Sequence, residues 1–102
     1  MRGALNVVNN EAVAGFPRRY DDALRVAREK RPELNATLSE WLEFHKYVAE
    51  LFAAVAESDP WNARRCHFIR ERQIAYADHI AKTISELPDG EDPRVAWELR
   101  NT

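Results

Sequence analysis

The sequence has few of the residues that interrupt helices or build covalent and metal-bound frameworks. Only three glycines and five prolines occur among 102 residues, which favours helices over many short strands with tight turns. The single cysteine, Cys66, excludes an internal disulfide and a zinc site made of cysteines, and it suits a reducing compartment. No apolar run approaches the roughly 18 residues of a membrane span, and the first residues do not form a signal peptide. We therefore expect a cytoplasmic protein without a membrane partner.

The length and composition fit one small folded domain. Apolar residues make up 45% of the chain and charged residues 31%, which is typical of a chain that buries a core rather than of a disordered one. A short alternation of apolar residues near the start indicates an arm or at most one weak strand. We therefore divide the chain into an N-terminal arm, residues 1–16, and a single all-α domain, residues 17–102.

Apolar spacing and helix-breaking residues predict the helices. A first short helix ends before Pro32, and Thr37 opens a capping box and a long second helix with a wide apolar stripe. Asp59 suits an N-cap and Pro60 suits the first position of a third helix over residues 60–87, and Asp92 begins a short last one. Long helices joined by a short turn are expected to lie antiparallel. The predicted fold is all-α: a small helical bundle built on a long antiparallel helix hairpin, with a short preceding helix and a short C-terminal helix.

The apolar stripes of the second and third helices predict the core. We expect these side chains to be mostly buried: Trp41, Val48, Phe52, Ile69, Tyr76 and Ile80. Three further residues, Phe44, Tyr47 and Leu51, widen the second stripe beyond what short helices readily cover. This excess of apolar surface predicts a homodimer or a stable complex with another protein.

The polar residues give no pattern for catalysis or metal binding. A di-iron bundle needs a glutamate three residues before a histidine, and none of the three histidines has a carboxylate there. His67 and Glu71 are expected to be a solvated pair, and His67 cannot face its neighbour Cys66 on a helix. His45 could act as a base, a ligand or a pH-sensitive hinge, but a hydrogen bond to Gln73 across the hairpin, fixing its register, is the simpler interpretation. We expect a protein that is not an enzyme and that uses no cofactor and no metal.

The charge changes sign from one predicted helix to the next. Residues 33–59 carry one basic and six acidic side chains, whereas residues 60–82 carry five basic and two acidic ones. One interpretation is that the second and third helices neutralise each other at their edges.

A sharper interpretation concerns the start of the third helix, where arginines alternate with aromatic residues: Arg64, Arg65, Arg70 and Arg72, with Trp61 and Phe68. This composition suits protein hot spots and nucleic acid alike. Helical spacing places four of these residues on one face, which we predict to be the partner-binding site: Trp61, Arg65, Phe68 and Arg72. Protein is favoured over nucleic acid because the net charge is −2 and phosphate binding usually needs a basic domain.

The N-terminal half resembles a family of DNA-binding proteins. The segment Phe16-Pro17-Arg18-Arg19-Tyr20 through Leu24 and Ala27, followed by Thr37-Leu38-Ser39-Glu40-Trp41-Leu42, is similar to the strand end, first helix and second-helix start of ribbon-helix-helix proteins. The resemblance covers residues 11–56 and implies a dimer that binds DNA. The groove-reading strand positions would be Glu11, Val13 and Gly15, and the connection over residues 30–36 is longer than the usual turn of the family.

Two hypotheses about function follow. The preferred one is a non-enzymatic small helical adaptor or assembly protein that acts through protein-protein contacts, of a kind associated with phages, plasmids or bacterial regulatory systems. The alternative is a small dimeric DNA-binding regulator with a ribbon-helix-helix-like N-terminal half. They differ in whether the arginines contact protein, or contact phosphates with strong salt dependence.

Overall fold

The computed structural model describes residues 15–87, and this part of the chain is helical. Helix α1 spans Tyr20–Glu29, α2 spans Leu38–Ser58 and α3 spans Ala63–Ser85, with a 3-10 turn at Pro60–Asn62 between the last two. The all-α prediction is confirmed for the described residues. Most of the predicted arm and the last helix predicted from Asp92 lie outside them. No helix in this part is long and apolar enough to cross a membrane.

Local signals account for the ends of α1 and α2. Asp21 and Asp22 lie in the first turn of α1 and Arg28 lies in its last turn. The negative charges are thus at the positive end of the helix dipole and the positive charge is at its negative end, which stabilises the helix. At the start of α2, the Glu40 N–H donates to the Thr37 hydroxyl oxygen over 3.1 Å. The predicted Thr37 cap is therefore present, and it satisfies one of the free N–H groups of the first turn.

Asp59 has a different role from the one predicted. Its side chain does not cap the 3-10 turn or α3. Instead its Oδ2 accepts from the backbone N–H of Tyr20, the first residue of α1, over 2.9 Å, and from Asn62 Nδ2 over 3.0 Å. The neighbouring Ser58 hydroxyl donates to the Arg18 carbonyl oxygen over 2.7 Å. The connection between α2 and α3 thus fixes the start of α1, whose own N-cap residue offers no side-chain hydrogen bond.

The core is built where all three helices meet. Ala23 of α1, Phe52 and Val55 of α2, and Cys66 of α3 are buried in one cluster. Three of the six residues predicted to be buried are buried, namely Val48, Phe52 and Ile80. Two more, Trp41 and Ile69, are half-buried.

The prediction that Tyr76 is buried is wrong, because this side chain is 40% exposed. Tyr76 lies at the edge of α3, where its hydroxyl oxygen accepts from Arg72 Nη2 over 2.6 Å. A phenol at a helix edge buries part of its ring and keeps its hydroxyl accessible to polar partners.

The residues that widened the α2 stripe pack within one chain. Leu51 is fully buried, and Phe44 and Tyr47 are half-buried against the same core. The Tyr47 ring meets Phe16 edge-on at 5.6 Å and lies under Lys30 Nζ at 5.4 Å. Burial raises the pKa of the Tyr47 phenol. Packing within one chain therefore covers much of this apolar surface, and the homodimer or complex stays a prediction.

Phe52 is expected to contribute most to the core, because its ring is almost fully buried at the meeting point of the helices. Phe52→Ala should lower the free energy of unfolding by roughly 3 to 5 kcal/mol in chemical denaturation, through lost burial and a residual cavity. Leu34→Ala, at a side chain that is 78% exposed, is the control and should change it by less than about 0.5 kcal/mol. A loss below about 1 kcal/mol for Phe52→Ala would contradict this assignment of the core.

Asp59 is expected to make stability depend on pH. Hydrogen bonds from the Tyr20 N–H and the Asn62 amide hold the pKa of Asp59 below its usual value. A lowered pKa stabilises the fold while the carboxylate is ionised, and this contribution is lost as pH falls through the folded-state pKa. Asp59→Asn should therefore destabilise the protein at neutral pH, and the difference from wild type should shrink as pH falls below about 4. Denaturation curves across this range test it; a difference independent of pH would contradict it.

Candidate functional site

The four predicted site residues lie along one exposed stripe, which we call the α3 stripe: Trp61, Arg65, Phe68 and Arg72. Trp61 is in the 3-10 turn and the other three are in α3. All four are exposed; the Trp61 side chain is 96% exposed and that of Phe68 is 62% exposed. Two large aromatic side chains this accessible, seven residues apart at the start of α3, are unusual among the described residues and mark a candidate contact surface.

Aromatic rings hold the two arginines of the α3 stripe. The Arg65 guanidinium lies 5.9 Å from the centroid of the Tyr20 ring, and Arg65 donates to Asn62 Oδ1 over 3.4 Å. The Arg72 guanidinium lies 5.7 Å from the Phe68 ring and 5.6 Å from the Tyr76 ring. A guanidinium held over an aromatic ring still has N–H groups for a planar acceptor such as a carboxylate. These contacts therefore restrict both arginines before any partner binds.

The charges of α2 and α3 do not pair as expected. Ion pairs between residues 15 and 87 join neighbours on the same helix: Arg25 with Asp22 and with Glu29, Lys46 with Glu43, and Arg70 with Glu71. No ion pair of the described residues joins α2 to α3, so the predicted neutralisation at the helix edges is not observed there. Neither Arg65 nor Arg72 belongs to an ion pair in this region.

His45 and Gln73 make the contact that the sequence suggested. His45 Nδ1 lies 2.6 Å from Gln73 Oε1, between α2 and α3 in a half-buried position. Because an amide oxygen only accepts, Nδ1 carries the proton in this hydrogen bond. The His45 ring is also surrounded by aromatic rings, with Phe44 at 5.3 Å and Tyr76 at 5.2 Å. His45 is thus held as a structural side chain that joins two helices.

The described cysteine and histidine side chains are not arranged for thiol catalysis or for metal binding. Cys66 is fully buried, and burial, together with the negative charge of Asp59, raises the pKa of its thiol, so the reactive thiolate is disfavoured. His67 beside it is exposed. Between residues 15 and 87 no group of three or more histidine, cysteine or acidic side chains is arranged to hold a metal ion.

A groove beside the α3 stripe was not predicted. It has a volume of about 220 Å³ and is lined by all three helices and by Arg31, which follows α1: Leu24, Ala27 and Arg28 of α1; Phe44, Val48 and Phe52 of α2; Ile69 and Gln73 of α3. The repeat of Leu24 and Ala27 at helical spacing was a usable signal for the α1 wall. The other wall was not predictable, because it depends on how α1 docks against α3.

Comparison of the chain with family models, with curated proteins and with solved structures gave no match. The resemblance to ribbon-helix-helix proteins therefore rests on the residues that suggested it. Two helices stand where that resemblance needs them, but Glu11 and Val13 lie outside the described residues, and Gly15 lies in a turn.

The His45–Gln73 pair is expected to couple the two helices energetically. Gln73→Leu should cost about 1 to 3 kcal/mol of unfolding free energy, because it leaves the Nδ1–H of His45 without its acceptor. His45→Phe keeps the ring contacts, and the double variant should cost less than the sum of the single variants by about 0.5 to 3 kcal/mol. Denaturation at neutral pH measures this cycle, and additive single effects would show that the pair is not coupled.

Proposed function

We propose that the chain is a non-enzymatic adaptor or assembly protein that binds another protein through the α3 stripe. The observation that carries this proposal is the nearly complete exposure of Trp61 beside the exposed ring of Phe68 and two stacked arginines. Tryptophan and arginine are enriched among residues that dominate binding energy at protein interfaces. Three of the four stripe residues lie on α3, which packs into the core, so this helix gives them a rigid support.

The rigid support is best explained by an antiparallel arrangement of α2 and α3. Only residues 59–62 separate the two helices. Val55 near the end of α2 shares the core with Cys66 near the start of α3, whereas His45 in the first half of α2 bonds Gln73 farther along α3. Contacts that run in opposite order along two helices are those of an antiparallel hairpin.

A protein partner accounts for the stripe better than nucleic acid does. The whole chain has a formal charge of −2, whereas a domain that binds phosphates usually presents a strongly basic surface. The two exposed aromatic residues add apolar area, which protein interfaces bury at their centre. DNA binding by a dimeric regulator is the competing outcome of the experiments below.

A different protein is favoured over a second copy of this chain. In a two-fold interface the same patch lies on both subunits. The stripe would then bring Arg65 and Arg72 of one copy close to those of the other, with no acidic side chain in the stripe to separate them.

The aromatic residues of the stripe should be essential for the complex and dispensable for folding. Trp61→Ala combined with Phe68→Ala should abolish capture of the partner in a pull-down from the source cell treated with nuclease, because the interface loses both apolar anchors. Leu34→Ala removes another exposed apolar side chain and should leave capture unchanged. Light scattering of the purified protein distinguishes a second copy as the partner. Capture that survives the double substitution would contradict the proposal.

The arginines distinguish protein from DNA. Arg64→Ala with Arg65→Ala should weaken the protein complex, while retention on duplex DNA is negligible for both forms at physiological salt. If these arginines instead bound phosphates, each lost contact would lower the slope of log affinity against log salt by about one unit. Tight DNA binding with that slope change would favour the regulator.

A further inference from the structure

The groove beside the α3 stripe has an apolar floor. Val48 and Phe52 of α2 are buried at its base, and Leu24 of α1 faces it together with Ile69 of α3. The volume of about 220 Å³ is enough for one or two apolar side chains and too small for most cofactors, which need about 300 Å³ or more. Because the floor offers few polar groups, it would bind an apolar side chain rather than a charged or sugar group.

Two arginines line this groove, and two more lie near it along α3. Arg28 of α1 and Arg31, which follows the end of α1, are the lining ones. On α3, Arg65 lies one turn before Ile69, and Arg72 lies one turn after it. The Arg65 guanidinium lies over Tyr20, which is one turn before the groove residue Leu24 on α1.

None of these four arginines belongs to an ion pair among residues 15–87, although other arginines of the same helices do. Arg25 of α1 pairs with Asp22 and Glu29, and Arg70 of α3 pairs with Glu71. Arg31 stacks instead over Trp41, at 5.8 Å from the ring centroid. Arg31, Arg65 and Arg72 thus lie against aromatic rings rather than carboxylates, which leaves N–H groups for an incoming acid.

We propose that this groove binds an acidic amphipathic helix of a partner protein. The helix would insert an apolar side chain between Leu24 and Ile69 and set carboxylates on both of its flanks against Arg28 and Arg72. This inference rests on the proposed function, since the α3 stripe forms one border of the groove. Helices commonly bind grooves through apolar side chains at three- to four-residue spacing, and charge complementarity with the arginines sets the acidic class.

The apolar floor distinguishes this ligand from nucleic acid. Arginine edges accept phosphates as readily as carboxylates, so the arginines alone do not select between them. A phosphate backbone has no apolar group to fill the space above Phe52, whereas an amphipathic helix fills it and satisfies the arginines at once.

The test uses the full chain and a synthetic probe. The probe is a fluorescein-labelled helical peptide of alanine and leucine, with leucines on one stripe and glutamates on both sides of it; the control peptide has glutamine at every glutamate. Fluorescence anisotropy should show binding of the glutamate peptide, and binding of the glutamine peptide that is at least about tenfold weaker, because several charge-assisted contacts are lost. In NMR spectra the shifts caused by the peptide should map to Leu24, Ala27 and Ile69.

Matched variants locate the site. Arg28→Gln with Arg72→Gln should weaken the glutamate peptide by about tenfold, whereas Arg25→Gln with Arg70→Gln, which removes arginines already paired on the same two helices, should not. Ala27→Leu should fill the groove and weaken both peptides; circular dichroism checks that this variant still folds.

The outcomes separate this inference from the proposed function. Equal affinity for the two peptides, no binding of the glutamate peptide, or equal effects of the two arginine pairs would overturn the groove inference. Displacement of the peptide by duplex DNA, added at the same concentration of negative charges, would also overturn the groove inference. If capture in the pull-down depends on Trp61 and Phe68 but not on Ala27→Leu, the adaptor proposal stands and the groove proposal fails. If the peptide binds as described but capture survives loss of Trp61 and Phe68, the adaptor surface is wrong and the groove stands.

Discussion

The hydrogen bond between the Asp59 carboxylate and the Tyr20 N–H is the contact on which the surface described above depends. It joins residues 39 positions apart and ties the first turn of α1 to the connection between α2 and α3. The Ser58 hydroxyl adds a second tie at the Arg18 carbonyl. Once α1 is held there, Ala23 enters the core, Tyr20 becomes a platform for Arg65, and one wall of the groove is in place. A ten-residue helix would be marginal by itself, so its position follows from tertiary contacts.

The interior combines a tightly packed end with a polar contact farther along the helices. Phe52, Val55 and Cys66 form an apolar cluster close to the turn between α2 and α3. Farther from the turn, His45 and Gln73 replace apolar contact with a directional hydrogen bond. A shift of α3 by one residue would break this bond, whereas apolar side chains tolerate small slips. The cluster thus supplies stability and the polar pair supplies register, and together they keep the α3 stripe in a fixed relation to α1.

Features that depend on neighbouring residues were predictable from the sequence. The Thr37 cap, the ends of α1 and α2, and the His45–Gln73 pair all followed from spacing or from capping chemistry. Features that depend on distant contacts were not predictable. Asp59 has the sequence context of an N-cap, and only the docking of α1 gives its carboxylate a better donor. Leu51 has the sequence pattern of an interface residue because the sequence of α2 does not show that Leu51 is buried in a cluster with residues of other helices.

The candidate site likewise has some features that depend on one segment of sequence and others that depend on how the helices pack. Helical spacing predicted the grouping of Trp61, Arg65, Phe68 and Arg72, because these residues belong to one segment, and all four are exposed. The alternation of charge between α2 and α3 suggested that the arginines would be neutralised across the hairpin, yet charged side chains in the described region pair within single helices, where they are three or four residues apart or adjacent. The groove combines residues of three helices, so no one-dimensional pattern contains it.

The remote cap of α1 also has a consequence for the order of events during synthesis. The Tyr20 N–H leaves the ribosome long before Asp59 does, so the first turn of α1 is incomplete until α2 has been made. Helix α1 is therefore expected to dock late, onto α2 and α3, which contact each other through residues closer in sequence. A nascent or truncated chain that ends within α2 has neither this cap nor the α3 wall, and the arginine-lined groove comes into existence only in the finished fold.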